Sequence, residues 1–168
     1  SSTKNNIILD FNYTASTRLI LKQCGLSDED IDNRLIKVHG EASNNDIIFG
    51  VEDNAGIKKE HVFLRKHIHK NKALNFSELY DRIKSVAIFG HSLGETDHTY
   101  FNKLFQESCM YNKFSTNNNK EFWLFYYKEN GYHCMMQQLD SLTHNSLTSF
   151  RQYNRVNFIN TDKEKVFI

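Results

Sequence analysis

Three short apolar runs, Ile7-Ile8-Leu9, Ile47-Ile48-Phe49 and Val86-Ala87-Ile88-Phe89, carry no polar residue on alternate positions. A strand with one solvated face alternates apolar and polar side chains. Unbroken runs of this kind therefore read as strands covered on both faces, the habit of parallel sheets in α/β proteins. Leu35-Ile36-Lys37-Val38 and Phe122-Trp123-Leu124-Phe125-Tyr126-Tyr127 are further strand candidates, rich in β-branched or aromatic residues, and Arg155 to Asn160 is a weaker one.

Helical spacing fills the intervals. Phe76, Leu79, Tyr80 and Ile83 recur at i, i+3, i+4 and i+7, with Asn75 as a candidate N-cap and Glu78 three residues on. Phe101, Leu104, Phe105 and Ser108 form a second stripe, and Met135, Met136, Leu139 and Leu142 a third. A first helix spans about Ala15 to Cys24, with Gly25 as its C′ residue. The stretches from Tyr13 to Leu35, Gly50 to Val86 and Ser92 to Phe122 are each long enough for a helical crossover between parallel strands. Glu41 to Asn45 is not, so Asp46 to Gly50 is expected to enter through a tight turn, and Ser115 to Lys120 reads as a mobile loop. The pattern predicts an α/β fold, a three-layer domain with an open, mostly parallel sheet and helices on both faces, occupying residues 1–168 as a single domain.

Composition narrows the function classes. A chain of 168 residues suits one domain. Lysine and arginine total 21 against 20 acidic residues, and the resulting +1 gives no electrostatic footprint for nucleic acid or an anionic membrane. The longest apolar runs fall far below the ~20 residues of a membrane helix, and no basic segment precedes an apolar one as in a secretory signal. Cys24, Cys109 and Cys134 form no C-x-x-C pair, which argues for a reducing, cytoplasmic location and against structural zinc. Proline is absent, and aromatic residues, 13% of the chain, supply much of the core. The opening Ser1-Ser2-Thr3 suggests a piece of a longer protein.

Ligands of open α/β sheets bind outside the carboxyl ends of the strands. There the first strand delivers Asn12-Tyr13-Thr14, the second His39-Gly40, and the run ending at Phe89 delivers Gly90-His91-Ser92. Gly90-His91-Ser92-Leu93-Gly94 matches the G-x-S-x-G nucleophile elbow of serine hydrolases in its strand-to-helix context. Ser92-Leu93-Gly94-Glu95 is equally an S-x-x-E capping box. Glu95 and Asp97 oppose an oxyanion there, and the late histidines, His133 and His144, follow no obvious acid partner. His39 suits a general base or a histidine bonded to a loop carbonyl. Asn12-Tyr13-Thr14 suits the orientation of a ribose or water, or simple turn chemistry. Asp97 suits a bond to ligand hydroxyls or a favourable place at a helix dipole. His61, His67 and His69 lie among Lys59, Arg65, Lys66 and Lys70, with Glu60 as the nearby carboxylate, so no metal is expected. The sequence contains no G-x-G-x-x-G loop and no Walker motif.

The order of these pieces is more specific than any one. Ile8-Leu9-Asp10-Phe11-Asn12-Tyr13-Thr14, Val38-His39-Gly40, Ile47-Ile48-Phe49-Gly50 and Ile88-Phe89-Gly90-His91-Ser92-Leu93-Gly94-Glu95-Thr96-Asp97 with Tyr100-Phe101 together resemble the bacteriophage abortive infection family AbiH over residues 7 to 127. That family usually begins with a glycine-asparagine-glycine-phenylalanine-aspartate motif after a first strand. Its absence here implies the C-terminal part of a longer AbiH-like protein, without the N-terminal strand and phosphate-binding turn and with weak or no cofactor binding. The expected partners are the remainder of that chain, a nucleotide and a phage component.

The succession is similar, more distantly, to sirtuins and sirtuin-like NAD hydrolases of bacterial defence, and that likeness implies a Rossmann-like nucleotide-binding sheet for the three-layer domain. That likeness implies catalytic roles for Asn12, near the nicotinamide ribose, and His39, in its His-Gly pair. It further implies NAD or a related nucleotide as ligand, with contacts from Tyr13, Thr14, Gly40, Gly90, His91, Ser92 and Asp97. Phe11 stands where a sirtuin has glutamine, Tyr13-Thr14 replaces isoleucine-aspartate, His91 replaces threonine, and the zinc-binding cysteines are absent. The likeness thus implies nucleotide binding or NAD hydrolysis, not protein deacylation. The competing readings are a non-catalytic module sensing a nucleotide or phage component, and a serine hydrolase using Ser92.

Overall fold

The computed structural model describes residues 6–47, 50–51, 56–64, 76–110 and 119–163. The chain divides into two compact units, Ser1–Lys72 and Ala73–Ile168. Each is built on its own parallel sheet.

The first unit runs β1 (Ile8–Asp10), α1 (Ser16–Gln23), α2 (Asp28–Asp32) and β2 (Leu35–Lys37). The two strands are parallel neighbours, with Ile8 opposite Leu35 and Asp10 opposite Lys37. Parallel neighbours need a crossover, which the two helices supply. α1 ends where its sequence predicts. Gly25 takes φ +86°, its N–H bonds Lys22 O at 2.9 Å, and Leu26 N–H bonds Leu21 O at 3.1 Å. This pair of bonds satisfies carbonyls that the helix leaves open. α2 is a helix that periodicity does not predict, being only five residues long. Its start is nonetheless written locally: Ser27 Oγ accepts the Asp30 N–H at 3.1 Å, and Asp28, Glu29 and Asp30 occupy the first turn, at the positive end of the dipole.

The second unit runs α3 (Phe76–Arg82), β3 (Ser85–Ile88), α4 (His98–Ser108), β4 (Glu121–Tyr126), α5 (Lys128–Leu142), α6 (Leu147–Tyr153) and β5 (Arg155–Asn160). Its strands are all parallel in the order β3-β4-β5, with Val86, Phe122 and Val156 in register. Consecutive parallel strands joined through helices are the repeating unit of doubly wound α/β proteins, so the α/β, Rossmann-like class holds. The weaker strand candidate, Arg155 to Asn160, is β5 in full.

Three rings centre this unit's core. Phe105 of α4 lies 5.5 Å from Phe122 of β4 and 5.5 Å from Phe150 of α6, and the last two are 4.8 Å apart, all 0% exposed. Burial of each side chain is worth about 1.5–3 kcal/mol. The predicted stripes face this core. Phe101, Leu104, Phe105 and Ser108 are buried on α4, as are Met135, Leu139 and Leu142 on α5, while Met136 is half-buried. α6 went unpredicted because its seven residues bury only Phe150 and show no stripe.

Two expectations need correction. Val86 to Phe89, read as covered on both faces, alternates instead: Ile88 is buried, while Ala87 and Phe89 are exposed, Phe89 by 55%; in the first such run Ile7 is likewise 47% exposed. Among the described strands β3 has a neighbour, β4, on one side only. The capping box at Ser92 does not form either. The chain makes a 3-10 turn at Glu95–Asp97, and α4 starts only at His98, with Asp97 as its N-cap. Leu93 sits in the left-handed region at φ +54°, which turns the backbone out of the helical path before a helix can begin at Ser92.

Other expectations lie outside the described residues: the strand through Ile48 and Phe49, the Asn75 cap, His67 and His69, and the loop from Ser115 to 118. Among the described residues, no helix is long and apolar enough to cross a membrane.

Candidate functional site

The carboxyl ends of β1 and β2 bring Asn12, Tyr13, Thr14, His39 and Gly40 together. The His39 ring stacks on Tyr13, with centroids 6.0 Å apart and planes 28° off parallel, and meets Phe11 edge-on at 5.5 Å. His39 is only 2% exposed, whereas Asn12 and Thr14 are exposed and Tyr13 is half-buried. A bond from Ala42 N–H to Tyr13 O at 2.8 Å ties the two loops together, and one from Glu41 N–H to Asp46 Oδ1 at 2.7 Å closes the second loop on itself. Gly40 is required here. Its φ is +75°, and a Cβ would stand 2.1 Å from the Asp46 carbonyl oxygen.

The groups that shape this rim are two that sequence reasoning missed. Lys37 Nζ donates to Asp10 Oδ2 at 2.9 Å, to Asn12 O at 2.7 Å and to Thr14 O at 2.6 Å. An ammonium has three donors, so this set uses all of them. Glu41 Oε2 lies 3.7 Å from the same nitrogen. Asp10 Oδ1 accepts the Asn12 N–H at 2.9 Å. The available signal was a charge in each apolar strand, Asp10 closing one and Lys37 interrupting the other. It becomes a pair only once register sets them opposite each other.

Burial alone would raise the Asp10 carboxyl. The Lys37 ammonium, the Asn12 N–H and the Thr17 hydroxyl outweigh it and hold the group below its usual range. A carboxyl held low in the folded state adds stability that is fully present above its unfolded value, about 4, and lost as pH falls through the lower folded value. NMR amide signals of β1 and β2 should therefore weaken below about pH 4 in the natural chain. Asp10→Asn should remove that acid dependence; an identical acid profile in the variant would show that Asp10 is not its source.

In the second unit the loop after β3 brings Gly90, His91, Ser92 and Asp97 together. His91 Nδ1 accepts the Leu93 N–H at 2.9 Å, which puts the ring proton on Nε2, 3.3 Å from Asp97 Oδ2. The His91 ring also meets Phe101 edge-on at 5.4 Å. A second histidine holds the other end of the same residue: His98 Nε2–H donates to Leu93 O at 3.0 Å and faces Gln138 Oε1 at 2.9 Å. Leu93, 0% exposed in its left-handed conformation, is thus gripped through both of its backbone polar groups. In a nucleophile elbow the N–H after the serine donates to the oxyanion. Here that N–H is taken by His91, whose two nitrogens are both engaged, so this loop is not set up for a Ser92 nucleophile. Ser92 itself is exposed.

Comparison with curated proteins gives no match, and comparison with solved structures gives none, so neither carries the more distant sirtuin likeness. A family model described as bacteriophage abortive infection AbiH matches residues 1–119, more than half of the 168-residue chain. That span takes in both polar loop clusters, and the chain belongs to the bacteriophage abortive infection AbiH family, with a role in phage abortive infection.

Proposed function

We propose that this abortive-infection protein handles a nucleotide at the rim where β1 and β2 end, and that its chemistry there is hydrolysis of NAD. The observation that carries the reading is the exposed Asn12 amide beside the Tyr13–His39 stack, at the carboxyl ends of adjacent parallel strands. A side-chain amide offers both donor and acceptor to ribose hydroxyls or a water, and the neighbouring aromatic ring gives a planar apolar wall. In the proposed step the bond from ribose C1′ to the nicotinamide nitrogen breaks, and its electron pair stays on nicotinamide. Water adds to the oxocarbenium-like C1′ and loses one proton. Asn12 orients the ribose or water, and His39 takes the proton. NAD and related nucleotides are substrates in this reading, and no metal takes part in it.

The burial of His39 favours a second reading. A ring only 2% exposed and flanked by Phe11 and Tyr13 is suited to transmitting a binding event by shifting against them, as a non-catalytic sensor would. NAD consumption by the full-length protein separates the two. Asn12→Ala, at an exposed position, and His39→Ala should each lower it by about a hundredfold or more if both act in the reaction. Consumption unchanged in His39→Ala rejects His39 as the base. Binding of NAD without turnover favours the sensor. Metabolite profiling of infected cells carrying the full-length protein checks the substrate without presuming it.

A further inference from the structure

We infer that Lys37 is the positioning residue of this rim, an internal clamp that fixes the Asn12-Tyr13-Thr14 loop in the shape that meets a nucleotide; the inference rests on the nucleotide reading above. The lysine reaches from β2 across to β1 and past its end. There it holds the Asp10 carboxylate together with the carbonyls of Asn12 and Thr14, at 2.6–2.9 Å. Both carbonyls belong to the loop that carries the exposed amide, and the third donor is anchored in the strand below.

Lysines beside nucleotide sites usually act as a positive charge on phosphate. Lys37 is not placed for that. Its side chain is 16% exposed, its three donors are all committed to protein oxygens, and Glu41 stands 3.7 Å away, so its charge is already matched inside the protein. Its effect on a ligand is indirect, through the loop it holds. The Asp10 carboxylate completes the device by taking the Asn12 N–H, so residue 12 is gripped at both its N–H and its C=O.

Removing Lys37 alone would strand the buried Asp10 charge, so the informative variant is the double substitution Asp10→Asn/Lys37→Met. It deletes both charges and the clamp, yet keeps an acceptor at position 10 for the Asn12 N–H. The isotope-labelled full-length natural protein and its variant are each titrated with NAD and followed by backbone amide NMR, which detects weak binding. The expected result has three parts. Amides of Ile8 and Leu35, two residues from the substitutions, keep their positions in the variant, amides of Tyr13 and Thr14 move toward random-coil values, and NAD affinity falls by about ten- to a hundredfold. Equal affinity in the two proteins overturns the clamp and leaves the nucleotide reading intact. If the natural loop does not respond to NAD, the nucleotide reading fails by itself. The clamp is then judged on the ligand-free spectra, where an unchanged loop in the variant overturns it and a displaced loop supports it.

Discussion

Gly40→Ala is expected to abolish the ordered β1–β2 pair, with a stability loss on the order of 4 kcal/mol. Two costs combine at this position. The backbone sits at φ +75°, in the region that a side chain disfavours by roughly 1–2 kcal/mol. A Cβ would also lie 2.1 Å from the Asp46 carbonyl oxygen and 2.6 Å from its carbon, and neither is a flexible side-chain end that could move aside. Relief requires moving Asp46 away from residue 40, which breaks the bond from Glu41 N–H to Asp46 Oδ1. The glycines elsewhere separate the two costs. Gly25 has φ +86° but open space around its Cβ direction, so Gly25→Ala should lose only about 1 kcal/mol. Gly56 has neither constraint, and Gly56→Ala should stay within about 0.5 kcal/mol of the natural chain. The measurement is amide hydrogen exchange across β1 and β2, supported by denaturant unfolding. A Gly40→Ala protein as stable as Gly56→Ala would show that the loops do not approach as described.

The second large effect is expected at Asn154, a C-cap residue that is 7% exposed. Its amide nitrogen donates to Ser108 O at 2.7 Å and to Phe150 O at 2.8 Å, while its oxygen accepts the Lys120 N–H at 3.1 Å. One side chain therefore satisfies carbonyls at the ends of α4 and α6 and an amide just before β4. The terminal carbonyls of a helix have no intrahelical partner, and a buried polar group left unmatched costs about 1–3 kcal/mol. Asn154→Leu removes three bonds while keeping the four-heavy-atom side chain branched at Cγ, so a loss of about 3–6 kcal/mol follows. Urea unfolding followed through Trp123 fluorescence reads this unit directly, because Trp123 is on β4 and is the chain's one tryptophan. Asn154→Asp keeps the acceptor for Lys120 but sets a buried carboxylate oxygen against the Ser108 and Phe150 carbonyls, so near neutral pH its cost should be at least that of Asn154→Leu. A Leu variant within 1 kcal/mol of the natural chain, about the worth of a single net hydrogen bond, would show that the three groups find other partners.

The elements most legible in the sequence were those whose signal is local. The stripe at Phe101, Leu104, Phe105 and Ser108 specifies a buried helix face wherever the helix is placed, and Gly25 after the first helix specifies its end by backbone chirality. The same locality misled at Ser92. S-x-x-E offers a cap, but His91 and His98 hold Leu93 in a left-handed turn, and the helix begins six residues later, at His98. At the first rim, Asn12, Tyr13, Thr14, His39 and Gly40 were readable because they follow the ends of two apolar runs, and strand ends are where α/β sheets offer polar groups. The burial of His39 was not readable, since it depends on Phe11 and Tyr13 folding over the ring.

By itself, the sequence determined the α/β alternation, most of the core-facing residues and the two loops rich in hydrogen-bonding groups. Periodicity and turn chirality act over a few residues and need no knowledge of the rest. Tertiary structure alone decided which polar groups join: Asp10 with Lys37 across 27 positions, His98 with Gln138 across 40, and Asn154 with Ser108 across 46. Such partnerships depend on strand register and helix packing, because a one-residue slip of β2 would carry Lys37 to the other face of its sheet and leave Asp10 buried without its cation.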